Sequence, residues 1–131
     1  MGMMWGFVVV ALSVVCWGGQ ALSWFFPEIA VRLSLTESDD AVDAAFSADG
    51  RGEALWDNAT LRNLPLAGVL LNVGHEAGSW LGHVGGGMYV YFSGRGILTR
   101  LELRRGGHRI GDPASARLGL IALAVWGVAG F

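Results

Sequence analysis

Residues 3–26 carry no charged side chain, and this stretch constrains the chain more than any other feature. It is about 24 residues long, or about 36 Å as a helix, enough to cross the roughly 30 Å hydrocarbon layer of a bilayer. Pro27 and Glu28 end it. A cleaved signal is the competing reading. Signals need a basic residue ahead of the apolar run, and none precedes it here. Gly19-Gln20-Ala21 offers small residues for a peptidase, yet the apolar character continues through Trp24-Phe25-Phe26. The segment is therefore expected to be a retained helix. Cys16, preceded by Val14-Val15, does not fit a lipoprotein site and reads as a small buried hydrophobe.

Composition agrees with a membrane location. The 131 residues are 53% hydrophobic and 15% charged, and the mean hydropathy is +0.46. Soluble domains carry about a quarter charged residues. A net charge of −2 leaves no basic footprint for nucleic acid, and a single Cys excludes an internal disulfide or a Cys-based zinc site. All nine basic residues are Arg. Together with the Ala and Gly richness, this points to GC-rich coding and a bacterial inner membrane.

A second apolar region covers 64–98, about 52 Å as one helix, too long for one crossing. Gly74-His75-Glu76-Ala77-Gly78-Ser79 interrupts it, and a carboxylate at mid-bilayer on an isolated helix is costly. The break predicts a helical hairpin, with one short or re-entrant helix over 62–76 and another over 78–96. A last apolar segment over 115–131 is started by Pro113, with Ser115 as cap and Arg117 snorkelling to the surface. The fold class expected is an all-α membrane protein with about four transmembrane or re-entrant helices in a single integral domain.

The hairpin puts the connecting segments 27–61 and 97–114 on one side. The acidic segment and its flank hold three Arg against eight acids, the basic one and its flank six Arg against two acids. Every Arg then lies on that side, which the positive-inside rule makes cytoplasmic. The N-terminus, the His75–Ser79 turn and the C-terminus lie outside. Trp5, Trp80 and Trp126 are expected near the outer headgroups, and Trp24, Phe25, Phe26, Tyr89, Tyr91 and Phe92 toward the inner ones.

Within the acidic segment, Thr36-Glu37-Ser38-Asp39 reads as a capped helix start, Asp49-Gly50-Arg51-Gly52 as a turn, and Glu53-Ala54-Leu55-Trp56 as the start of a second surface helix. An EF-hand centred on Gly50 fails, because Ala45 and Ser47 stand at ligand positions and Trp56 where Glu is required. Asn58-Ala59-Thr60 matches a glycosylation sequon, which a bacterial cytoplasmic segment does not use. In the basic segment, alternation through Leu101, Glu102, Leu103 and Arg104 followed by Gly106-Gly107 predicts a small β-hairpin over 98–111.

Gly74, Gly78, Gly82 and Gly86 recur every four residues and form one drifting helix stripe. Such stripes let helices approach closely in lipid, so the third helix is expected to pack tightly on a partner. His75, Glu76 and His83 lie beside it. Two His and a carboxylate offer metal or haem ligands or a polar path. The more economical reading is a polar turn and a helix-surface His, and no cofactor or metal is expected. No G-x-S-x-G elbow and no phosphate-binding loop occurs.

The function expected is that of a structural or accessory membrane subunit packing through a glycine-rich helix, not an enzyme. Its partners are the bilayer and further copies or a larger complex. The alternatives are a transport or channel component and a His-based haem or metal protein.

Overall fold

The computed structural model describes residues 2–131, with Gly2, Met3 and Trp5 described by their backbone alone. The helices are α1 (Gly2–Phe25), α2 (Pro27–Arg32), α3 (Ala44–Thr60), α4 (Asn63–Asn72), α5 (Ala77–Arg105) and α6 (Pro113–Ala129). The class is all-α, and no strand occurs among the described residues.

The expected β-hairpin over 98–111 is not formed. Residues up to Arg105 continue α5, and the β contact here is an isolated antiparallel bridge between Val42 and Ile110. Leu, Arg and Glu are strong helix formers, and Glu102 pairs with Arg105 one turn on. Gly107 takes φ +78° and closes the helix rather than a hairpin. His108 N–H reaches the Leu103 carbonyl at 3.0 Å and Gly107 N–H that of Arg104 at 3.1 Å. This is a Schellman cap. A glycine at positive φ serves a hairpin turn and a helix end equally well, and local sequence does not separate them.

The acidic segment also differs. Residues 36–43 are not helical, and Asp49-Gly50-Arg51-Gly52 lies within α3 instead of forming a turn. Each interior Gly costs about 1 kcal/mol relative to Ala. Tertiary contact offsets this, since Asp49 and Glu53, one helical turn apart, both pair with Arg95 of α5.

Pro65 separates α3 from α4. In a continuous helix its ring would collide with the Leu61 carbonyl. The chain instead turns at Leu61-Arg62, where Leu64 N–H takes the Leu61 carbonyl at 3.1 Å. Asp112, not Ser115, caps α6, accepting from Ala114 N–H at 2.8 Å and Ser115 N–H at 3.2 Å.

α4 packs on α1 and on α5, and α6 packs on α5 beside α4's contact face. Contacts between α4 and α5 pair Gly78 with Leu70-Leu71 and Gly85 with Leu64, so the two run antiparallel. α6 lies antiparallel on α5, with Gly96 against Leu123 and Gly130 against Gly86. α3 flanks the second half of α1. Trp17 Nε1 donates to the Asn58 carbonyl at 3.1 Å, and Asn58 Nδ2 to that of Gln20 at 3.1 Å.

The charged residues gather at the end away from His75. Arg51 pairs with Asp39, Arg95 with Asp49 and Glu53, and His108 and Arg109 with Asp43. Glu76 of the turn and the buried Asp57 are exceptions, as is Arg62, which is exposed at the α3–α4 break beside Leu61 of the central cluster.

The interior is built from small residues. Ser13, Ala30 and Ala67 are fully enclosed, and Leu61 is the largest side chain among those so buried. Phe7, Val15, Val73, Trp80, Tyr91 and Val128 stand outside. The accessible surface is 8306 Å², against about 6,700 Å² for a compact soluble monomer of this mass. By length and composition, Gly6–Phe25 is long and apolar enough to cross a membrane, and Pro113–Ala129 is a shorter apolar helix.

Candidate functional site

The residues singled out by sequence do not form one site. Gly74, at φ +71°, ends α4 as a Schellman cap, with His75 N–H on the Leu70 carbonyl at 2.9 Å. Gly78 is a close approach, for a Cβ there would lie 2.7 Å from the Leu71 nitrogen. Gly86 is another, 2.6 Å from the Gly130 carbonyl oxygen by the same measure. Gly82 meets nothing within 4 Å. The four-residue repeat is thus divided among a turn, two different packing partners and an open face.

His75, Glu76 and His83 are exposed. His75 Nδ1 accepts from Ala77 N–H at 3.1 Å, and His83 Nδ1 lies 2.7 Å from the Ser79 carbonyl oxygen. Each serves its own helix turn. Among the described residues no three His, Cys, Asp or Glu side chains are placed to hold a metal.

The chemistry collects elsewhere, in the middle of the bundle. Cys16 of α1 and Tyr89 of α5 are buried together with Leu61 and Leu64, and Trp17, Met88 and Trp126 pack around them. Asp57 of α3 and Ser93 of α5 are buried polar side chains as well. Asp57 is 7% exposed, Tyr89 4% and Ser93 3%. The Asp57 charge acts on both Cys16 and Tyr89. Ser93 is one turn beyond Tyr89 and faces Gly127, where a Cβ would stand 2.9 Å from its own.

Three oxygens here have no hydrogen-bond partner: Asp57 Oδ2, Tyr89 Oη and Ser93 Oγ. Buried polar atoms are nearly always partnered, and a buried carboxylate without a partner is costly when charged. Burial pushes the Asp57 carboxyl up to about 6. The Asp57 carboxyl can therefore take up or release a proton.

In sequence Asp57 is one of eight acids of the acidic segment and its flank, and Tyr89 and Trp126 are expected at the membrane surfaces. The structure buries Asp57 and Tyr89 and packs Trp126 on the central cluster. The side chain of Trp5 lies outside the described residues. One signal was legible: Ala54, Asp57, Leu61 and Leu64 follow helical spacing, and all four are buried.

The sequence matches no family model, and neither a curated protein nor a solved structure is similar to the chain.

Proposed function

We propose that the chain is a multi-pass protein of a bacterial inner membrane that acts as a self-associating structural subunit. α1, α4, α5 and α6 are its membrane segments, and α3 lies against the bundle. The inverted distribution of side chains supports the membrane reading. Small residues enclose the helix contacts and large apolar ones face outward, as lipid requires and water does not. The surface is about 1,600 Å² above that of a compact soluble monomer.

One observation carries the association. Trp80, Val84, Gly87, Tyr91, Gly94 and Leu98 all stand exposed on α5. Their spacing alternates four and three residues, the repeat that keeps a seam facing a neighbouring helix. Gly87 and Gly94 meet nothing within 4 Å, so a second backbone can approach there. Copies inserted in the same orientation present this seam to each other across a two-fold axis.

The test is cysteine cross-linking in membranes, in a Cys16→Ala background. Cysteines at positions 84, 87, 91 or 94 should cross-link between copies, and one at Val90 should not. Gly87→Leu should weaken association while leaving the monomer fold intact. Absence of cross-links with a monomer in mild detergent would refute self-association. Membrane topology is tested separately. Cysteines at positions 51 and 104 should react from the same compartment, and recovery of the full chain from water without detergent would refute embedding.

A further inference from the structure

We propose that the outer face of α3 and α4 is a docking seam for a membrane helix of a different protein, one that carries an Asp or Glu at mid-bilayer depth and pairs it there with Arg62. The proposal rests on the membrane reading above and is independent of the α5 seam.

α3 and α4 follow α1 as one antiparallel track. Asn58 is bonded to Trp17 and Gln20, and Leu61 and Leu64 share a buried cluster with Cys16. A Cβ on Gly68 would meet Val10, and one on Gly6 would meet Asn72. The apolar run of α1, Gly6–Phe25, has its middle at Val15-Cys16. Leu61 is therefore held at mid-depth, and Arg62 follows it, exposed. A helix interrupted at that depth needs protein or water against it, not lipid. An extended Arg side chain reaches roughly 6 Å, whereas the edge of the hydrocarbon layer is roughly 15 Å away.

The seam runs through the break. Leu55, Ala59, Arg62, Leu66, Val69 and Val73 are all exposed, and their spacing alternates four and three residues, the repeat that keeps one face toward a neighbouring helix. A single cation interrupts an otherwise apolar line. The ion pairs among the described residues take Arg51, Arg95, Arg105 and Arg109, and Arg62 enters none of them. A charged side chain inside a membrane is paired or faces water, so the helix that covers this seam must bring the counter-charge.

A second copy does not supply it. Of the eleven acids, Asp57 is buried and Glu76 lies in the turn at one end of the bundle. The rest lie on α2 or at the charged end, where Glu53 is engaged with Arg95. Copies inserted in the same orientation would set Arg62 against Arg62 across a two-fold axis, and like charges so placed repel. Lipid tails offer no counter-charge.

The experiment uses the full chain in phosphatidylcholine vesicles, labelled with a donor dye at its N-terminal amine, since the sequence has no Lys. The probe is a Leu-rich transmembrane peptide with an acceptor dye and one Asp at its centre. Energy transfer should show the parent binding this peptide at least about tenfold more tightly than the same peptide with Leu or Lys at the centre. Moving the Asp two turns toward either end should remove the preference, as should Arg62→Leu, while Arg62→Lys should keep part of it. Should Arg62→Leu not insert, the dependence on Asp position in the parent decides. Equal binding of the Asp and Leu peptides by the parent would overturn the proposal, as would a preference that survives Arg62→Leu. Loss of the preference when phosphatidylglycerol replaces phosphatidylcholine would assign Arg62 to a lipid headgroup and overturn it too. Vesicle flotation separates these results from failure of the membrane reading. A chain left in the aqueous phase refutes embedding, whereas an inserted chain without the preference refutes the seam alone.

Discussion

Asp43 and Arg109 are joined three times: the Asp43 N–H donates to the Arg109 carbonyl at 2.9 Å, and Arg109 donates to the Asp43 carboxylate through its backbone N–H at 3.3 Å and its Nε at 3.4 Å. The bridge between Val42 and Ile110 lies immediately beside this pair. It clamps the acidic segment before α3 to the basic segment after α5. Two stretches of opposite charge, far apart in sequence, thereby close one end of the bundle.

The clamp has a pH signature. The His108 hydrogen bond, joined by those from Arg109, holds the Asp43 carboxyl below its ordinary value. A depressed carboxyl contributes stability at pH above its unfolded value, near 3.9, and loses it as pH falls through the folded value. Asp43→Asn should therefore lower the melting temperature at neutral pH and flatten the acid limb below about pH 4. Thermal unfolding of both proteins across that range checks this. An unchanged acid limb would show that the clamp carries no stability.

The glycines of α5 should separate by partner. Gly86→Val places side-chain atoms against the Gly130 carbonyl, and overpacking of this kind costs about 1–3 kcal/mol. Gly82→Ala meets open space and should stabilise by about 0.5–1 kcal/mol through helix propensity. Denaturation of the two variants in detergent reads the difference. Equal effects would contradict the assigned packing.

Ser34 holds φ +56° at the end of α2. Leu35 N–H reaches the Ala30 carbonyl at 2.9 Å, and Ser34 N–H reaches that of Val31 at 3.0 Å. A left-handed residue with a Cβ costs about 1–2 kcal/mol, so Ser34→Gly should stabilise by about 1 kcal/mol. A measured loss of stability would mean that the Ser side chain contributes more than the strain removes.

Asn58 ties α3 to α1 through its side-chain donation to the Gln20 carbonyl, and also donates to the Ala54 carbonyl at 2.8 Å. Asn58→Ala should cost about 1 kcal/mol. The Trp17 indole should keep its bond, because that bond goes to the Asn58 backbone. Tryptophan fluorescence should shift little while the unfolding midpoint falls. A large fluorescence change would mean that α3 had detached.

Sequence by itself determined the helical class, the uninterrupted apolar run of α1 and the chain reversal at Gly74-His75. Each is a local property, arising from the absence of charge, the period of apolar residues and a glycine able to take positive φ. The start expected near position 62 is also close to that of α4 at Asn63. Tertiary structure decided the rest. Whether Gly106-Gly107 closed a hairpin or a helix depended on α5 continuing to Arg105 alongside α6. Whether Gly50 and Gly52 bent or continued α3 depended on Arg95, more than forty residues away. The burial of Asp57 arose in the same way. In sequence it is one acid among many, and only the packing of α3 on α1 removes it from water.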